Sequence, residues 1–99
     1  MDSPVLPADH LERIRTLFRR HPRITAVRLY GSRAKGCHRP ESDVDLALDG
    51  EFTALEAQAI AAELDELPLP YHFDVRPYTS IQLPALREHI DRVGIRIYP

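Results

Sequence analysis

The sequence predicts an α/β (α+β) fold: a single domain with helices packed on a mixed β-sheet. Three observations carry that expectation. Apolar residues recur with helical and strand periods in the order helix, strand, strand, helix, strand, helix, strand, which suits helices layered on a sheet. The chain has 99 residues, enough for one core but not for a second domain, so residues 1–99 are expected to form one unit. Apolar residues make up 43% and charged residues 28%, the balance of an ordered globular chain rather than a disordered one.

Asp9-His10-Leu11-Glu12 has the form of a capping box, and Leu11, Ile14, Leu17 and Phe18 follow at helical spacing. The first helix should therefore span residues 9–20 and stop before Pro22, which biases His21 away from helix. Ile24 to Tyr30 is rich in β-branched and aromatic residues and runs into Gly31-Ser32, so it reads as a strand entering a tight turn, with Val27 and Leu29 on one face. A basic, polar loop with Gly36 and Pro40 follows. From Asp43 to Asp49 the alternation is unbroken: Val44, Leu46 and Leu48 face one way, Asp43, Asp45, Ala47 and Asp49 the other.

Thr53-Ala54-Leu55-Glu56 is a second capping box, opening an alanine-rich helix to Leu67 that Pro68 and Pro70 close. Tyr71, Phe73 and Val75 alternate with His72, Asp74 and Arg76 up to Pro77, the pattern of a strand near a sheet edge or at its own end. Leu83, Leu86, Ile90 and Val93 trace a last helix, with Pro84 in its first turn and Gly94 as its C-terminal cap. Ile95 to Tyr98 adds a short final strand.

Composition excludes several classes of function. The longest uninterrupted apolar stretch, Ala59 to Ala62, is far too short for a bilayer span, and Met1 to His10 lacks the basic start and apolar run of an export signal. The lone Cys37 cannot close an internal disulfide or supply a structural zinc site, so a cytoplasmic location is expected. A net charge of -2 lacks the basic excess of a phosphate-backbone binder, and no direct nucleic-acid binding is expected. Basic residues do concentrate between Arg13 and Arg39, but Arg13 to Arg23 reads as solvated helix surface. There is no Walker-type Gly-Lys-Ser/Thr sequence and no serine-protease-like constellation.

The chemistry concentrates in two segments and one later strand. Asp43 and Asp45 are two apart on a predicted strand, so both carboxylates leave the same face, and Asp74 lies on another strand whose polar face can align with them. Aspartate is a poor strand former, and crowded carboxylates repel one another unless cations neutralise them. Hard oxygen ligands on rigid strands suit Mg²⁺, and a pair of ions about 3.5–4 Å apart is the usual device for in-line displacement at phosphorus. Gly31-Ser32-Arg33 stands just upstream: glycine lets backbone approach a phosphate, serine can donate, and Arg33 and Lys35 carry charge for a leaving pyrophosphate. A solvated strand face would account for Asp43-Val44-Asp45 alone, and an ordinary turn for Gly31-Ser32 alone.

Together, Gly31-Ser32-Arg33-Ala34-Lys35-Gly36 followed by Ser42-Asp43-Val44-Asp45-Leu46-Ala47-Leu48 resembles the signature of the polymerase-β-like nucleotidyltransferase superfamily, and most of all its minimal nucleotidyltransferase (MNT) branch. Asp74 falls where that family carries its third acidic residue, and Ile90 to Gly94 with Ile97-Tyr98 is similar to the branch's usual ending. The resemblance implies a nucleotidyltransferase fold, with ATP as donor and two Mg²⁺ ions held by Asp43, Asp45 and Asp74. Asp74 would also help deprotonate the attacking hydroxyl, and Gly31 and Ser32 would hold the triphosphate. Lys35 stands where many members have arginine, which keeps the charge but loses bidentate phosphate binding.

The resemblance further implies a partner, because a domain this short lacks the helical region with which larger members grip their acceptor. In the MNT branch the partner is commonly a HEPN ribonuclease toxin, and the MNT chain acts as antitoxin. Some transfer AMP to a toxin tyrosine and others act by binding. A third alternative is a subunit acting on a small molecule or an RNA end. Among weaker candidates, His72 reads as a partly buried structural residue on the face of Asp74, Cys37 and His38 as loop residues, and Tyr30 as packing.

Overall fold

The computed structural model describes residues 6–31 and 43–99. The elements follow as α1 (Ala8–Arg19), β1 (Ala26–Tyr30), β2 (Val44–Asp49), α2 (Ala54–Asp65), β3 (Phe73–Pro77), a 3₁₀ turn (Tyr78–Ser80), α3 (Pro84–Val93) and β4 (Ile95–Tyr98). The order is the one expected from the sequence, with the 3₁₀ turn as an addition. The strands form one sheet in the order β3-β2-β1-β4. β1 runs antiparallel to both β2 and β4, while β2 and β3 are parallel, so the sheet is mixed.

The parallel pair is possible because α2 carries the chain back across the sheet. Thr53 caps that helix as expected: its hydroxyl accepts from the Glu56 N–H at 3.1 Å, and the Glu56 carboxylate accepts from the Thr53 N–H at 2.9 Å. β3 is an edge strand, consistent with the proline at its end.

Strand alternation divides the sheet into two faces. Val27 and Leu29 of β1, Val44, Leu46 and Leu48 of β2, Phe73 and Val75 of β3 and Ile97 of β4 share the main core with α1 and α2. From α1 the contributors are Leu11, Ile14, Leu17 and Phe18, the stripe read from the sequence, and from α2 they are Ala57, Ile60 and Leu64. Each large aliphatic side chain so buried stabilises the fold by about 1.5–3 kcal/mol. On the opposite face Tyr30 and Ala47 pack with Ile81 and Ile90, which seats α3 there.

Three details differ from the sequence reading. α1 begins one residue early, because the Leu11 N–H donates to the Pro7 carbonyl; Pro7 is the N-cap, with no side-chain cap, and Glu12 pairs with Arg19 instead of reaching back to Asp9. Asp9 still lies in the first turn, where the helix dipole favours its charge. Leu83, expected on the buried stripe of the last helix, precedes α3 and is 69% exposed. Gly94 does cap α3, but with φ -62 its use is spatial: a Cβ there would overlap the Ile90 carbonyl oxygen, which accepts from the Gly94 N–H at 2.8 Å. Among the described residues no helix is long and apolar enough to cross a membrane.

Candidate active site

The site is built on the less filled face of the sheet, where β1 ends and β2 begins. Register places Tyr30, Asp45 and Asp74 side by side on three adjacent strands: Tyr30 is opposite Asp45, and Asp45 is opposite Asp74. All three leave the same face, because their neighbours Leu29, Val44, Leu46, Phe73 and Val75 fill the main core behind. Asp43 immediately precedes β2 and is exposed.

The electrostatics of this row follow from crowding. Burial pushes the Asp45 carboxyl above the usual carboxylate range, and the charges of Asp74 and then Asp43 push it further, while Arg76 opposes them. Burial also raises the Tyr30 phenol to about 12, with Asp45 and Asp74 adding to the shift against Arg76. Tyr30 therefore remains a neutral packing residue, as the sequence suggested.

Gly31 closes the row. Its φ is +81, in the left-handed region that L side chains rarely adopt, and a Cβ on it would overlap Oδ2 of Asp45. The glycine thus lets backbone lie directly against the carboxylate. Its N–H donates to Nε2 of His89 on α3 at 3.3 Å, so that donor is already engaged. Ser32, Arg33 and Lys35, together with Cys37 and His38, lie outside the described residues.

The structure therefore brings Asp45, Asp74 and Gly31 together, with Asp43 near enough for its charge to act on Asp45. Among the described residues, however, no three acidic, histidine or cysteine side chains converge as a metal-ligand set. The donor chemistry suits a hard divalent ion: carboxylate oxygens on rigid strands, with one carboxyl whose ionised form burial and the neighbouring carboxylates disfavour.

His72 differs from expectation. Its side chain is 69% exposed, with Nδ1 3.9 Å from the Asp65 carboxylate of α2 rather than against Asp74. Its backbone carbonyl instead accepts from the Val44 N–H, as β3 joins β2.

Two residues escaped the sequence reading. Arg76 stands one row along from Asp74, with a guanidinium nitrogen 3.5 Å from Oδ2, and supplies cationic charge beside the acidic row. Its alternation with Asp74 was the available signal. His89 meets Gly31 and lies edge-to-face on Tyr30, ring centroids 6.3 Å apart. No local signal marks it, since its partners are distant in sequence. α3 is held over the sheet by Arg28, which donates to Asp49 at 3.2 Å and to Asp91 of α3 at 3.1 Å. Arg28 also stacks 4.3 Å from the Tyr78 ring, whose hydroxyl donates to Asp91 at 2.8 Å.

Solved structures share this architecture at low sequence identity. A mutant MntA–HpeT toxin–antitoxin pair matches with a TM-score of 0.72 and 18% identity, over 88% of this chain and 70% of that one. A toxin–antitoxin structure with AMP-PNP matches with a TM-score of 0.71 and 18% identity, over 93% and 73%. A tri-AMPylated HEPN toxin of Shewanella oneidensis in complex with MNT antitoxin gives 0.68 and 18%, over 89% and 68%. No curated protein matches the sequence significantly. The fold is thus that of these structures, and residues 12–99 match the model of the polymerase beta nucleotidyltransferase family, so the chain belongs to that family.

Proposed function

We propose that this chain is a Mg²⁺-dependent nucleotidyltransferase that transfers AMP from ATP to a hydroxyl, a tyrosine of a HEPN toxin partner, and so acts as an antitoxin. The observation that carries the reading is the parallel register of Asp45 and Asp74, which gives two acidic side chains on adjacent strands next to Gly31. The toxin–antitoxin pairs among the similar structures, one with AMP-PNP and one with a tri-AMPylated toxin, support the choice of donor and partner. A cytoplasmic location accords with a lone cysteine.

Asp43, Asp45 and Asp74 would hold the ions, which supply positive charge to the reacting phosphate and the departing pyrophosphate. Asp74 accepts the proton of the attacking tyrosine hydroxyl. The phenolic oxygen bonds to the α-phosphorus as the bond to the β-phosphate oxygen breaks, and pyrophosphate leaves with that electron pair. Arg76 steadies the Asp74 carboxylate from one side. Gly31 keeps side-chain bulk away from Asp45. Ser32, Arg33 and Lys35, carried on the segment that leaves Gly31, bind the triphosphate.

The test is the intact mass of a HEPN toxin partner after incubation with the chain and MgATP. An AMP adduct is expected with the wild type and none with Asp45→Asn or Asp74→Asn; an unmodified toxin under wild-type conditions refutes catalysis. A second reading, neutralisation by binding alone, draws on the toxin–antitoxin complexes among the similar structures. It requires that the same aspartate variants still suppress toxicity.

A further inference from the structure

We infer that His89 is a positioning residue for the candidate active site: its imidazole holds the Tyr30–Gly31 peptide and so fixes the Gly31 backbone against the Asp45 carboxylate. The inference rests on the proposed nucleotide reading and extends it to a residue of α3.

The geometry is specific. Gly31 has the left-handed φ of +81 and is flanked on one side by the Asp45 carboxylate and on the other by the His89 ring. A glycine peptide has more freedom than any other, so its orientation must be imposed by partners. Strand pairing stops one residue earlier, at Tyr30 opposite Asp45. Beyond that point the Gly31 N–H has His89 Nε2 as acceptor, and Nε2 accepts only as the neutral imidazole carrying its proton on Nδ1. The ring is itself held: it packs edge-to-face on Tyr30, and α3 is tied to the sheet through Arg28, Asp91 and Tyr78 and by the buried Ile90 next to His89. His89 is thus a fixed acceptor on a rigid helix, aimed at the Gly31 N–H beside the Asp45 carboxylate. Rigid support of this kind decides whether a binding group is preorganised or must be ordered at the moment of binding.

Two substitutions separate the acceptor from the ring. His89→Phe keeps an aromatic face for Tyr30 and removes the acceptor, whereas His89→Gln keeps an oxygen acceptor at the reach of Nε2. AMP-PNP affinity in the presence of Mg²⁺ should weaken about 2- to 10-fold in His89→Phe, the worth of one hydrogen bond, and return to within about twofold of wild type in His89→Gln. In transfer assays the same pattern should fall on KM for ATP, leaving kcat within about twofold, because His89 touches no reacting atom. Amide exchange at Gly31 should quicken in His89→Phe but not in His89→Gln. Equal AMP-PNP affinity in the wild type and His89→Phe, or no recovery in His89→Gln, overturns the proposal. If the wild-type chain binds no AMP-PNP, the nucleotide reading falls, and Gly31 exchange alone decides the positioning role: unchanged exchange in His89→Phe overturns it.

Discussion

Replacing Gly31 by alanine tests the join between backbone and carboxylate in a way that yields separable magnitudes. Two costs arise. The first is conformational: holding alanine at the left-handed φ of +81 costs about 1–2 kcal/mol. The second is steric: the new methyl overlaps Oδ2 of Asp45 and lies 3.3 Å from Cγ, but 3.6 Å from Cβ, which is ordinary contact. The carboxylate must therefore swing aside, and an off-rotamer displacement costs about 0.5–1.5 kcal/mol. In an Asp45→Ala background only Cβ remains, so the steric cost vanishes and the conformational one persists. Thermal unfolding of the metal-free chain should show Gly31→Ala lowering Tm by roughly 6–28 °C in the wild type and roughly 4–16 °C in Asp45→Ala, at about 4–8 °C per kcal/mol. Equal losses in the two backgrounds would mean that the glycine does not abut the carboxylate, and no loss in either would mean that the backbone is not left-handed.

Asp45→Asn should raise Tm of the metal-free chain at neutral pH. The carboxyl has its proton affinity raised by folding, so its favourable contribution is present below the unfolded value and is lost as pH rises through the folded one; the advantage of asparagine should accordingly disappear below about pH 4, as a Tm–pH series will reveal. Arg28→Met removes the donor to the half-buried Asp49 and the tie to Asp91, and should cost about 1–3 kcal/mol in urea unfolding, with no change expected if α3 is held by packing alone. Leu46→Ala, at a fully buried position, should cost about 2–5 kcal/mol, while Leu83→Ala should stay within about 0.5 kcal/mol; similar losses at both sites would contradict the assigned burial.

Much of the fold was legible because strand and helix periods are read locally. Val44, Leu46 and Leu48 alternate with Asp45 and Ala47, and that alone fixes which face of β2 meets the core. The capping box at Thr53 formed as its residue types dictate, whereas the similar pattern at Asp9 did not, because the Pro7 carbonyl took up the first helical hydrogen bond. Leu83 misled for a related reason: it fits the helical spacing but sits before the first turn, where it is largely exposed. In the site, the shared face of Asp45 and Ala47 was visible as alternation. That Asp74 could align with Asp45 was expected from its strand's polar face and from the family resemblance, but the residue-to-residue register was not legible, since register between strands separated by a helix depends on how that helix packs. His89 and Arg76 belong to the same category, their relevance set by tertiary neighbours.

The parallel contact between β2 and β3 has a consequence for the order in which the molecule matures. β1 and β2 can zip together across a short span of chain, but β3 reaches its place only after an intervening helix has formed and docked, a slower and longer-range event. A nascent or partly unfolded molecule therefore displays Asp45 without Asp74, and the row of acidic side chains is completed in one step, when β3 docks, rather than growing in with its parts.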